Sequence, residues 1–135
     1  MAKSHIVSRS QQELSIVCED RPGMLSHLAK HLSKGKVNIL ATSCAPAGMQ
    51  TAVRIIVDRP ALAKKILDRE YLPYTEHEVL YVELPNLPGA LSEFAGKLAA
   101  ENINITTAYG SSTPGSKKAV VIFRVSDLKK ALAIH

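Results

Sequence analysis

Apolar and polar residues alternate from Leu14 to Glu19. Leu14, Ile16 and Cys18 share one face and Ser15, Val17 and Glu19 the other, the period of a strand with one buried side. Pro22-Gly23 stops it as a turn. Leu25, Leu28, Ala29 and Leu32 then recur at i, i+3, i+4 and i+7, one helical stripe. Gly35 suits the helix exit. Val37 to Ser43 reads as a second strand, Pro46-Ala47-Gly48 as a turn, and Thr51 to Val57 as a third strand rich in β-branched residues. A second helix is expected from Pro60, because proline suits the first helical position. Tyr71 to Glu76 is expected to form a fourth strand, running almost directly into Val79.

The pattern then starts again. At an offset of 66 residues, Leu14 to Cys44 aligns without a gap with Leu80 to Gly110, and nine of these 31 pairs are identical. Average residue usage predicts about two. Leu91, Phe94, Ala95 and Leu98 repeat the helical stripe, with Asn102 at its exit. Ile103 to Tyr109 and Ala119 to Val125 repeat the second and third strands around a turn at Ser111 to Gly115. Ser126 is the expected N-cap of the last helix. A period this long, in two copies, indicates a duplicated small domain and not a solenoid.

Each copy reads as βαββα, and the first adds a strand to make βαββαβ, the ferredoxin-like unit. The expected fold class is α+β. Two ferredoxin-like units would each carry an antiparallel sheet with both helices on one face. No Gly, Ser or Pro linker separates them, which predicts rigid packing as a pseudo-dimer. The expected divisions are an N-terminal extension over 1–11, a first domain over 12–77 and a second over 78–135. Only ten residues follow Val125, too few for a helix and a full strand at ~3.3 Å per residue. The final strand of the second unit is therefore expected to be missing, leaving an open edge along Val79 to Leu84. Open edges recruit strands. His5-Ile6-Val7-Ser8 is the candidate to fill this one, from the same chain or from a partner in a homodimer.

Composition narrows the function. Apolar residues make up 46% and charged residues 21% of the 135, a globular balance. No apolar run approaches the ~18 residues of a membrane span, and Met1 to His5 offers no signal-peptide core. Two cysteines make no disulfide scaffold and no zinc cluster, which suits a reducing, cytoplasmic setting. The net charge of +5 is dispersed without a basic block, so a solvated surface accounts for it better than a nucleic-acid footprint.

The most informative segments are the corners between first strand and first helix: Asp20-Arg21-Pro22-Gly23-Met24-Leu25 and Asn86-Leu87-Pro88-Gly89-Ala90-Leu91. Glycine lets the backbone approach a ligand closely. First-turn amides lack intrahelical acceptors and carry the positive end of the helix dipole, so a small carboxylate suits them. Asp20 or Asn86 can accept from an ammonium group. Each corner thus offers partners for both ends of a free amino acid. The plainer reading is that Asp20 and Asn86 cap the helices and Pro-Gly turns the chain.

These corners, each followed 15 residues after its glycine by Asn38 in Val37-Asn38-Ile39 and Asn104 in Ile103-Asn104-Ile105, resemble the ACT domain. The resemblance covers about residues 12–132. The plan is similar to small stand-alone tandem-ACT proteins with no attached enzyme. It implies a non-catalytic regulatory protein that binds a free L-amino acid and needs no cofactor, with a biosynthetic enzyme as a possible target. It implies a ligand between ACT domains packed side by side, with the neighbouring domain's second strand closing the site. Carried over, it marks Asp20 with Gly23, Met24 and Leu25, and Asn86 with Gly89, Ala90 and Leu91. Asn38 and Asn104 rank second, since either could simply end the preceding helix. Arg21 could hold a carboxylate, although Leu87 replaces it in the second copy and a solvated arginine is the plainer reading.

Other constellations point elsewhere. His27 and His31 stand at i, i+4, but beside Lys30 and Lys34 and with no carboxylate at matching spacing, which favours solvent over metal. Cys18 occupies a core-facing position and reads as a small hydrophobe. An RNA-binding module would need aromatic side chains on its central strands, and aromatic content is 4%. A phosphate-cradling enzyme loop conflicts with Asp20 and with proline at the corner. An interaction subunit that docks on an enzyme without a ligand of its own is the main alternative.

Overall fold

A computed structural model describes residues 6–135. Its elements run β1(Val7–Glu19), α1(Met24–Lys34), β2(Ile39–Ala47), β3(Gln50–Val57), α2(Pro60–Arg69), β4(Tyr74–Pro85), α3(Ala90–Ala100), β5(Ile105–Ser112), β6(Lys118–Val125) and α4(Leu128–Leu132). The fold is α+β, as the patterning predicts. Among the described residues, no helix is long and apolar enough to cross a membrane.

The chain forms two compact units. One comprises Gln12–His77, with strand order β2-β3-β1-β4. Leu14 lies opposite Ile55 and Ile16 opposite Val53 in an antiparallel ladder. Leu14, Ile16, Cys18, Val53, Ile55 and Val57 face Leu28 and Leu32 of α1 and Ala63, Ile66 and Leu67 of α2. Alternation on the strands and the i, i+4 stripe on α1 thus converge on one core. Each large aliphatic side chain buried there contributes about 1.5–3 kcal/mol.

The other unit comprises Glu78–His135 together with residues 6–11, in the order β5-β6-β4-β1. Its core joins Leu80, Val82, Leu84 and Phe123 to Phe94 and Leu98 of α3 and Ala131 of α4, with the Phe94 and Phe123 rings 5.6 Å apart. No strand follows α4. The fourth place in this sheet, predicted to be an open edge, is taken by the start of β1. Ile6 packs on the core and the Arg9 guanidinium lies 4.2 Å from the centre of the Tyr81 ring. His5 lies outside the described residues.

Helix exits explain most boundary differences. Lys36, Tyr71 and Asn102 all adopt left-handed backbone, with φ of 60°, 56° and 57°. The next residue's amide in each case reaches back to the last turn: Val37 to Leu32, Leu72 to Leu67 and Ile103 to Leu98, each 2.9 Å. Tyr71 therefore ends α2, and β4 begins at Tyr74, not Tyr71. Val37 and Ile103 close their helices in the same way, so β2 and β5 begin at Ile39 and Ile105. Gly35 does not take the left-handed position. It lacks a side chain for another reason: a Cβ there would overlap the terminal methyl of Ile66. The turn after β2 is tighter than predicted, because Pro46 and Ala47 still pair with Thr51 and Gln50. Asp127, not Ser126, caps α4, accepting from the Lys130 amide at 3.0 Å. The Ser126 hydroxyl instead accepts from the Asn104 amide at 2.9 Å, as the Asp58 carboxylate does from the Asn38 amide at 2.9 Å.

Candidate functional site: the two strand-helix corners

Each corner is built by a glycine that both stops a strand and starts a helix. Gly23 and Gly89 are the N-caps of α1 and α3, with φ of 90° and 88°. That left-handed backbone explains why glycine stands at both positions. Neither helix start has a side-chain cap, so Asp20 and Asn86 are not the capping residues of the plainer reading. The first helical hydrogen bonds run from His27 to the Gly23 carbonyl and from Glu93 to the Gly89 carbonyl, both 2.9 Å. First-turn amides ahead of them have no intrahelical acceptor.

Both polar side chains are fixed from the facing hairpin. Thr51 Oγ1 donates to Asp20 Oδ1 at 3.2 Å. Thr51 lies opposite Cys18 in the ladder, and its carbonyl accepts from Cys18 Sγ at 3.7 Å. Burial, then the neighbouring Cys44, pushes the Cys18 thiol above its ordinary pKa, so it serves as a neutral donor. In the second unit, Asn86 Nδ2 donates to the Ser116 carbonyl at 2.9 Å and the Asn86 amide to the Lys117 carbonyl at 3.0 Å. Oδ2 of Asp20 and Oδ1 of Asn86 are left as acceptors.

The corners differ in charge and lining. At the first, Arg21 Nε pairs with Glu19 Oε2 at 2.8 Å, both side chains well exposed. Its guanidinium is thus held by a neighbour on the rim. At the second, Pro85, Leu87, Pro88, Gly89, Ala90 and Glu93 line a shallow depression of ≈ 160 Å³. Leu87 is 66% and Leu91 53% exposed, while Leu25 at the first corner is 42% exposed. Met24 and Ala90 are half-buried against their cores.

Asn38 and Asn104 lie elsewhere in their own units. An eleven-residue helix separates each from its corner, about 16 Å at 1.5 Å per residue. Neither asparagine takes the left-handed position that ends the preceding helix; Lys36 and Asn102 do. Thr51 and Ser116 were not legible as corner residues, because only the strand register brings them there.

His31 differs from its sequence reading. Its Nε2 lies 3.2 Å from Glu70 Oε1 at the end of α2, and its ring packs edge-on to His27 at 4.5 Å. A carboxylate does match it, supplied by the second helix. Among the described residues, no group of three or more His, Cys, Asp or Glu is placed to hold a metal ion.

The family model for the ACT domain pair matches residues 9–134. The chain belongs to this family. Among solved structures, the ACT pair is similar to protein BT0572 from Bacteroides thetaiotaomicron, with 29% identity, a TM-score of 0.85, and coverage of 93% of this chain and 85% of that one. It shares its fold with the regulatory subunit of aspartate kinase from Thermus thermophilus, at 12% identity and a TM-score of 0.70, covering 96% and 93%. The corresponding Thermus flavus subunit gives 13% identity and a TM-score of 0.62, covering 90% and 86%. Among curated proteins, nothing matches the sequence.

Proposed function

We propose that this ACT pair is a non-catalytic regulatory protein that binds a free L-amino acid at its strand-helix corners. The observation that carries the reading is the duplicated geometry. A left-handed glycine opens each helix without a side-chain cap, and a polar oxygen, fixed by the facing hairpin, stands three residues before it. The amides of Met24 and Leu25 at the first corner, or of Leu91 at the second, where the Ala90 amide already donates to the Leu87 carbonyl at 3.2 Å, would receive the α-carboxylate, with Gly23 or Gly89 allowing close approach. Asp20 Oδ2 or Asn86 Oδ1 would accept from the ammonium group. Arg21 would border the first site from its pair with Glu19. Asn38 and Asn104 are assigned no contact with a ligand at their own unit's corner. The aspartate kinase regulatory subunits that share this fold support a biosynthetic enzyme as the target.

Calorimetry with the panel of common amino acids tests this. At least one should bind. Asp20→Ala and Asn86→Ala should each weaken binding at their own corner by about 1.5–3 kcal/mol, the worth of a hydrogen bond to a charged group. No heat and no thermal stabilisation across the whole panel would defeat the proposal. The exposed Leu87 and Leu91 favour a second reading, a subunit that docks on an enzyme through this corner without a ligand. Regulation of a co-purified enzyme in the absence of amino acids would support that reading.

A further inference from the structure

Arg54 stands in the middle of β3 on the face of the sheet turned away from the helices. Its neighbours Val53 and Ile55 point into the core, so its own side chain projects the opposite way. Ser15 of β1 and Ser43 of β2 are its direct register partners. Directly opposed residues in antiparallel strands share a face, with Cβ atoms about 4.5–5.5 Å apart. The sheet thus carries a transverse row, Ser43-Arg54-Ser15: one arginine between two serines. The next row is Ala45-Ala52-Val17, small on β2 and β3 and branched on β1.

Among the described residues, none pairs with the charge of Arg54. Its Nε is buried without a hydrogen-bond acceptor. Glu13, on the same face, already has a partner of its own. Arg54 as a whole is only partly buried, but a guanidinium nitrogen shut off from water without an acceptor is costly; Ser43 and Ser15 flank the arginine in the ladder. We infer that the Ser43-Arg54-Ser15 row is a binding site for a small oxyanion, a carboxylate or phosphoryl group, held in the fork of Arg54 and bordered by the two hydroxyls. A guanidinium is the side chain suited to such planar, two-pronged recognition. The inference rests on β1, β2 and β3 and not on the corners.

The test uses inorganic phosphate and acetate as separate probes, each against chloride at equal ionic strength, with the full-length chain. At least one probe should raise the melting temperature saturably, by roughly 5 °C or more at about 100 times its dissociation constant. Response to phosphate alone would mark a phosphoryl ligand; response to both, a carboxylate-sized site. Arg54→Met should abolish the response and, in chloride alone, melt no lower than the wild type, since it removes an unpartnered charge. Arg54→Lys, which keeps the charge and loses the fork, should weaken binding by on the order of tenfold or more. The inference is overturned if neither probe saturates, or if Arg54→Lys binds as tightly as the wild type. An Arg54→Met chain that melts far below the wild type in chloride, or fails to fold, would overturn it too, by showing a structural guanidinium. Neither probe carries an ammonium group, so the result is distinct from that of the amino-acid panel.

Discussion

Removing residues 1–9 should destabilise the unit formed by Glu78–His135, although the deleted segment lies at the other end of the chain. The loss can be built up from contacts. Ile6 packs, partly buried, against the core of Leu80, Phe94 and Phe123. Full removal of a buried isoleucine side chain costs about 2–5 kcal/mol, so a half-buried one is worth about 1–2. The Arg9 guanidinium over Tyr81, at 4.2 Å, adds about 0.5–1 kcal/mol. Backbone hydrogen bonds along β4 that lose their partner strand contribute about 0.5–1.5 kcal/mol each. The sum is about 3–5 kcal/mol, a large part of the ~5–15 kcal/mol that holds a typical domain together. Urea denaturation followed by circular dichroism would read it, with light scattering to detect any change of mass. A double-mutant cycle on Arg9→Ala and Tyr81→Ala isolates the ring contact, which should couple by about 0.5–1 kcal/mol. An unchanged midpoint in the truncated chain would show that β1 does not complete this sheet energetically.

Two further outcomes follow from the packing. Gly35→Ala should destabilise by about 1–3 kcal/mol, because the new Cβ overlaps the Ile66 terminal methyl; Ile66→Val removes that methyl, so in urea titrations the pair should be less destabilising than the sum of the singles, and additivity within about 0.5 kcal/mol would refute the contact. Cys44 is exposed and Cys18 buried, so a thiol reagent at neutral pH should modify one equivalent at once and the second only on unfolding. The raised pKa of Cys18 keeps it protonated to higher pH in the folded state, so its contribution to stability is present at neutral pH and is lost as pH rises through the folded pKa; equal reactivity of both thiols would contradict this.

The sequence made the fold legible where a single period governs a segment. Leu14, Ile16 and Cys18 alternate because a strand alternates, and Leu25, Leu28 and Leu32 recur because a helix turns. The duplication then supplied the second unit from the first. Ends were less legible, because they depend on backbone conformations that residue type does not dictate. Lys36, Tyr71 and Asn102 all take a left-handed turn, and only asparagine among them advertises it. Gly35, the residue that does advertise it, serves packing against Ile66. The corners were found from Pro22-Gly23 and Pro88-Gly89, but their partners Thr51 and Ser116 come from hairpins some 30 residues away. His31 met Glu70 for the same reason: the carboxylate stands on another helix, where no spacing rule on α1 could find it. Arg54 was unremarkable as a letter, and became informative only once the register set Ser15 and Ser43 beside it.

The start of β1 has a consequence in time. It is synthesised first, yet its place in the sheet lies beside residues that leave the ribosome some 70 positions later. At roughly 5–20 residues per second, Ile6 to Gln11 waits about 4–14 seconds for its partner strand β4, and about 6–25 seconds for the whole of its unit. Gln12–His77, by contrast, is contiguous and emerges whole. Throughout the delay Val7 to Gln11 form an unsatisfied strand tethered to a completed sheet. A nascent chain is then most exposed to pairing with the wrong copy of itself, and crowding on a polysome shortens the distance to that copy.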